Sequence, residues 1–167
     1  MSKVLVLYAT RHGSTREVAD VIASTLRELG CDVDLHPAGE MRKPLAGADL
    51  VVLGAPLYSG RWHNDAHRFL KRHRGELVSI PVAIYGMGPR DNTVETWQAA
   101  RKQLNAALTK HGWLTPAAVA VFGGVDPPKR HLVLRRDLRD WNAIRDWASS
   151  LPIPAPSKLA PAYEAVS

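Results

Sequence analysis

Six consecutive residues, Thr10-Arg11-His12-Gly13-Ser14-Thr15, crowd three hydroxyls, a guanidinium, an imidazole and a glycine into one short stretch. An apolar run, Val4-Leu5-Val6-Leu7-Tyr8, precedes them, and a helical period at Val18, Ile22 and Leu29 follows, with Val21 and Leu26 widening its face. The run is too short for a globular helix and reads as a buried parallel strand. The chemistry therefore falls where a strand turns into a helix. The first amides of such a helix lack internal partners, and its dipole is positive there, so hydroxyls around them make a pocket for an anion. Ser and Thr at this place could also act only as caps. The hydroxyl density with Gly13 and Arg11 favours the anion. The spacing is neither Gly-x-x-x-x-Gly-Lys-Ser/Thr nor Gly-x-Gly-x-x-Gly. A single phosphate, such as that of FMN, fits better than a triphosphate or a pyrophosphate.

Two further stretches end apolar runs in the same way. Asp49 to Pro56 runs into the polar loop Leu57-Tyr58-Ser59-Gly60-Arg61-Trp62-His63, and Pro81 to Gly86 runs into Met87-Gly88-Pro89-Arg90-Asp91-Asn92. Small residues at Gly60, Gly86 and Gly88 let backbone approach a flat ring. Tyr58 and Trp62 could lie against one face of that ring, and Met87 offers a polarizable contact. Trp62 could equally staple the start of the next helix, and Gly86 and Met87 could be ordinary strand-end residues. His63 and His67 stand four apart, a metal-compatible spacing, but no Cys, Asp or Glu at matching spacing completes a site, so no metal is expected. No Gly-x-Ser-x-Gly elbow or other nucleophile with a placed base is visible, and no catalytic residue is assigned. Any redox chemistry belongs to a cofactor that the protein tunes.

The elements that must position these loops alternate. After the first helix Gly30 is placed to end it. Asp32 to His36 alternates like an edge strand and stops at Pro37; Ala38 to Ala48 is loop. Asn64 or Asp65 can cap a second helix with Ala66, Phe69, Leu70 and His73 on its apolar face. Asn92 and Glu95 form a capping-box pattern before a helix carrying Trp97, Ala100, Leu104, Ala107, Leu108 and His111. Ala117 to Gly124 is the last strand, and Asp137 caps a final helix with Trp141, Ile144, Trp147, Ala148 and Leu151 on one side. Strands alternating with helices predict an α/β, three-layer α/β/α fold with a five-stranded parallel sheet in the order 2-1-3-4-5, whose ligand sits beyond the carboxyl ends of the strands. Residues 1–151 read as one domain. Residues 152–167, rich in proline, read as a poorly ordered tail.

The 167 residues suit one core, and 46% apolar with 23% charged residues is an ordinary soluble composition. No run is long enough to cross a bilayer, no signal peptide is seen, and a single cysteine, Cys31, suits a reducing cytosol. The expected location is cytoplasmic, with contact to a membrane surface left open. The net charge is +6, concentrated at Arg61, Arg68, Lys71, Arg72 and Arg74, and again at Lys129, Arg130, Arg135, Arg136 and Arg139. Such patches suit an acidic protein or an anionic membrane surface, or they merely solvate a helix and a loop. Nothing supports base stacking, so nucleic acid is not expected.

Tyr8-Ala9-Thr10-Arg11-His12-Gly13-Ser14-Thr15 resembles the phosphate loop of the flavodoxin family, with His12 where many members carry Thr. Gly54 to His63 resembles the family's second flavin loop, and Phe122 to Asp126 with Asp137 to Trp147 resembles its C-terminal blocks. The Arg-His-Gly-Ser-Thr form is similar to flavodoxin-domain proteins related to menaquinone-dependent protoporphyrinogen oxidases. The resemblance implies a flavodoxin-like fold and FMN held by Thr10 to Thr15, by Pro56, Leu57, Tyr58, Ser59, Gly60 and Trp62, and by Gly86, Met87, Gly88 and Pro89. It also implies that backbone at Ser59-Gly60 meets the flavin N5 edge. Members of that branch carry a long insert after the fifth strand, where this chain has only Val125 to Arg136. The leading expectation is thus an FMN redox protein serving a redox partner or a quinone. The alternatives are a menaquinone-dependent protoporphyrinogen oxidase-type enzyme and a flavodoxin-like interaction domain without cofactor.

Overall fold

The computed structural model describes residues 1–10, 13–45, 47–89, 91–125 and 136–154. The anticipated alternation is present. Strand β1 (Lys3–Tyr8) leads to α1 (Ser14–Glu28), β2 (Asp32–Pro37), a 3-10 turn at Ala38–Glu40 and β3 (Leu50–Tyr58). A two-residue β4 (Arg61–Trp62) follows, then α2 (Asn64–Arg72), a single turn α3 (Arg74–Leu77), β5 (Val82–Met87), α4 (Val94–Thr109), β6 (Ala118–Phe122) and α5 (Trp141–Ser150). The principal strands are parallel and ordered β2-β1-β3-β5-β6, with β4 paired to β3 off that path. Leaving out β4, this is the expected order 2-1-3-4-5.

Strands buried on both faces need no polar alternation, and their side chains divide between two cores. Leu5, Leu7, Val51, Leu53 and Ile84 pack with Phe69, Leu70 and Leu104 of α2 and α4. Val4, Val6, Val52, Ala83 and Tyr85 pack with Val18, Ile22, Leu26 and Ile144 of α1 and α5. Gly54 permits one close crossing. A Cβ there would lie 1.8 Å from the Tyr85 ring, so only glycine lets that phenol pass toward α1, where its hydroxyl donates to the Thr15 carbonyl at 3.4 Å. Burial raises the Tyr85 pKa, which keeps the phenol neutral.

Several local expectations are corrected. Leu29 is outside the α1 face: it is 56% exposed at the C-cap. The helix does close at Gly30 as expected, with a Schellman pair, Gly30 N–H to the Arg27 carbonyl and Cys31 N–H to the Leu26 carbonyl. Pro37 completes β2 rather than stopping it, because an edge strand tolerates a missing donor. The caps of three helices shift. His63, not Asn64 or Asp65, caps α2, its Nδ1 accepting from Asp65 N–H at 3.0 Å. Thr93, not Asn92, caps α4, because the Asn92 carboxamide accepts from the Trp97 indole N–H. Asp140, not Asp137, caps α5, because Asp137 binds the Arg139 guanidinium at 2.7 Å.

Candidate functional site

The sheet order places the carboxyl ends of β1, β3, β5 and β6 side by side. Ala9 N–H donates to the Gly54 carbonyl at 2.9 Å, Pro56 is in register with Met87, and Gly88 N–H donates to the Phe122 carbonyl at 3.1 Å. The three loops singled out by their chemistry thus open at one edge of the sheet. Gly124 joins them by donating to the Pro89 carbonyl at 2.7 Å.

The first loop ends on Gly13, the N-cap of α1, which stands at φ 90° and offers no side-chain cap. The Thr10 hydroxyl accepts from Gly13 N–H at 2.8 Å, which shapes the turn and leaves its own proton to donate. Ser14 is half-buried. Thr15 is fully buried, and its Oγ1 has no hydrogen-bond partner among the described residues. A buried hydroxyl left unpaired costs about 1–3 kcal/mol, so such orphans ask for an occupant. An uncapped helix start, a Thr10 proton with no acceptor among the described residues and an orphaned Thr15 hydroxyl suit an anion such as a phosphate monoester. Arg11 and His12 lie outside the described residues. One neighbour that the sequence placed only in a basic patch, not at this loop, is Arg139. It reaches Glu17 in the first turn of α1 at 3.1 Å and lies 4.8 Å from the Trp141 ring centroid, tying the C-terminal segment to this loop. Its separation of 122 residues from Glu17 hid it from any local pattern.

The second loop, expected as a polar loop from Leu57 to His63, is a hairpin. β3 runs on to Tyr58, and β4 returns antiparallel with Tyr58 opposite Arg61 and Leu57 opposite Trp62. Ser59 at φ 49° and Gly60 at φ 77° occupy the turn, the two positive values a type I′ hairpin requires. Ser59 and Gly60 are exposed and Tyr58 is half-buried, so this turn and this ring are presented outward. Trp62 is not. It is 1% exposed, and its indole N–H donates to the Ala55 carbonyl at 3.2 Å. The expectation that it lies against a ring is corrected: the hairpin folds it back over β3 as a core side chain.

In the third loop Met87 is 3% exposed within the α1–α5 core, so its proposed ring contact is corrected too. Gly86 and Pro89 are buried and Gly88 half-buried. Leu57 wedges against both glycines, since a Cβ on Gly88 would approach its Cδ1 to 3.1 Å and one on Gly86 to 3.4 Å. Pro56, Leu57, Gly86, Met87 and Pro89 therefore form a floor, above which Tyr58, Ser59, Gly60 and Gly88 reach the surface.

The two histidines read as metal-compatible do different work. His63 caps α2, while His67 Nδ1 meets His111 Nε2 at 2.8 Å with the rings stacked. Burial, then the neighbouring His111, Lys110 and Lys71, lower the His67 pKa to about 4, and burial likewise lowers that of His111. Both rings are neutral near pH 7. A separate cavity of about 310 Å³ lies beside β1 and β2, lined by Lys3, Leu5, Asp34, His36, Glu40 and Lys43 among others.

Comparison with known proteins agrees with this layout. Residues 5–145 match the flavodoxin domain model. The chain is 37% identical over 133 residues to protoporphyrinogen IX dehydrogenase [quinone] of Escherichia coli (strain K12), covering 76% of this chain and 71% of that protein. Among solved structures it resembles a short-chain flavodoxin associated with a PDU bacterial microcompartment, with a TM-score of 0.61 at 22% identity, covering 90% of this chain and 97% of that one. It also resembles Fusobacterium nucleatum flavodoxin bound to flavin mononucleotide, with a TM-score of 0.53 at 18% identity over 89% and 96% of the two chains. The matched model spans most of the chain, so this protein belongs to the flavodoxin domain family.

Proposed function

We propose that this chain is an FMN-dependent redox protein whose site is the edge formed by the three loops. The observation that carries the reading is the orphaned Thr15 hydroxyl at the uncapped start of α1, at the point where β1 and β3 meet. Membership of the flavodoxin domain family and the flavin mononucleotide bound by the Fusobacterium relative support it. FMN, when bound, supplies reversible one- and two-electron transfer. The protein's part is to hold and orient. The amides of Ser14 and Thr15, with the Thr10, Ser14 and Thr15 hydroxyls, would hold the phosphate, joined by Arg11, His12 and Gly13. Tyr58, Ser59, Gly60 and Gly88 would contact the ring from the surface, over the buried floor of Pro56, Leu57, Gly86, Met87 and Pro89. Gly60 lets the Ser59–Gly60 peptide turn toward the flavin edge at small cost.

A visible spectrum of the purified protein, followed by titration with FMN and with riboflavin, tests this. FMN should bind and riboflavin, which lacks the phosphate, should bind far more weakly; a protein that takes up neither is a cofactor-free interaction domain, and the proposal fails.

The acceptor is a quinone or another redox partner. The quinone is favoured by the 37% identical relative, whose name carries both a quinone and protoporphyrinogen IX. Oxidation of a porphyrinogen with a menaquinone analogue as acceptor checks that narrower reading; electron transfer without porphyrinogen turnover leaves a carrier or a different substrate. Among the described residues no helix is long and apolar enough to cross a membrane. A cytoplasmic protein that meets its quinone at an anionic membrane surface through Arg61 to Arg74 fits this reading.

A further inference from the structure

A cavity of about 260 Å³ opens between the β3–β4 hairpin, α2 and α4. Its polar lining consists of Arg61, Asn64, His67, Gln103 and Lys110. Every one of these can donate a hydrogen bond, two are cations, and no Asp or Glu lines the space. The larger cavity beside β2 is different, since Lys3 and Lys43 there share the lining with Asp34 and Glu40. Some basic groups elsewhere do take carboxylates, as Arg68 takes Asp65 at 3.6 Å and Arg139 takes Asp137 at 2.7 Å. Among the described residues Arg61 and Lys110 have no such partner. Like charges held around one concavity repel, and an anion relieves that repulsion.

We propose that this cavity binds a small organic carboxylate, with the Arg61 guanidinium and the Lys110 ammonium on its charge and Gln103 and Asn64 completing its hydrogen bonds. The planar guanidinium suits a carboxylate in two-point contact. Trp62, Ala106, Ala107 and Gly60 supply the rest of the lining, which favours an anion with a short apolar body over inorganic phosphate. The His67–His111 pair adds a reporter. One proton joins His67 Nδ1 to His111 Nε2. When His111 donates it, neutral His67 carries its own proton on Nε2 and becomes a donor at the cavity wall, so a bound anion selects that tautomer. Gly60 also lines the cavity, which seats the occupant against the turn assigned above to the flavin edge. The proposal does not depend on flavin binding.

The test is an NMR titration of the histidine rings in the full-length protein with butyrate, its neutral isostere butyramide and inorganic phosphate. Butyrate should give saturable shifts at His67 and His111 and move His67 toward the Nε2–H tautomer. Butyramide should not, and phosphate should bind more weakly. Lys110→Gln, at an exposed helix end, and Arg61→Gln should each weaken butyrate at least roughly tenfold, the loss expected for one charge-assisted contact. FMN affinity should be unchanged in Lys110→Gln, which separates this site from the flavin site. Equal response to butyramide, tighter binding of phosphate, or undiminished butyrate binding in Lys110→Gln would each overturn the proposal.

Discussion

Replacing Thr15 by Val should move apoprotein stability and FMN affinity in opposite directions. The side chain keeps its β-branch and nearly its volume, but a methyl group takes the place of an Oγ1 that is buried without a partner. Removing an orphaned hydroxyl relieves a penalty of about 1–3 kcal/mol, so the apoprotein should become more stable by a value in that range. The same hydroxyl should donate to the FMN phosphate, and losing a hydrogen bond to a charged group costs about 1.5–3 kcal/mol, or roughly 10- to 150-fold in affinity. Urea denaturation of the apoprotein measures the first quantity, and fluorescence titration with FMN the second. Ser14→Ala is the comparator: its half-buried hydroxyl leaves apoprotein stability within about 0.5 kcal/mol while FMN weakens similarly. Any riboflavin affinity should be the same in both variants and the parent. An apoprotein weakened by more than about 1 kcal/mol, with FMN affinity within roughly twofold of the parent, would refute the reasoning, because Thr15 would then be a satisfied structural residue.

Tyr58→Ala should shift the bound flavin's spectrum or potential, whereas Trp62→Phe should leave it in place and lower stability by about 1–3 kcal/mol through the unpaired Ala55 carbonyl; a flavin that responds only to Trp62→Phe reverses the ranking. Because His67 and His111 have pKa values below the ordinary histidine value, the unfolded chain binds more protons than the folded one between pH 6.5 and about 4. Stability should therefore be complete above pH 6.5 and decline as pH falls through that window, with Lys71 and Lys110 opposing protonation from α2 and from the residue that closes α4. Urea midpoints against pH should show a smaller decline in His67→Gln, and identical slopes would remove the pair from the explanation. Arg68→Glu with Arg72→Glu should reduce the rate of electron exchange with an anionic partner mainly at low salt, since exposed charges are screened over about 8 Å at physiological ionic strength; stopped-flow rates with unchanged salt dependence would leave the patch without a role.

Periodicity made the scaffold readable. Val4 to Tyr8 and Leu50 to Pro56 are apolar without alternation because helices cover both faces, and that pattern is local. The place of the first loop was readable for the same reason, since an apolar run followed by hydroxyls, a glycine and a helical period marks a strand-to-helix turn. The burial of Thr15 was not, because it depends on how the loop and α1 pack together. Trp62 shows the limit more sharply. Its type and place allow a ligand contact and a staple of the next helix equally, and it becomes core because Ser59, a non-glycine residue, takes a positive φ and turns β4 back to the Ala55 carbonyl. Asp137 and Asp140 both precede Trp141 as acceptable caps, and the bond from Arg139 to Asp137 decides between them.

The end of β6 carries a consequence of another kind. Gly124 N–H is held by the Pro89 carbonyl, the Gly124 carbonyl by Leu138 N–H at 3.0 Å, and Val125 bridges Asp137 antiparallel. These bonds clamp both ends of the connection between Val125 and Asp137 to the scaffold. Once a loop's ends are fixed, doubling its length costs only about 0.6 kcal/mol of closure entropy. Sequence can therefore be added or removed between the clamps while β6, α5 and the strand ends stay in place. Evolution could lengthen or shorten the chain at that seam without redesigning the strand ends, and a grafting experiment could do the same.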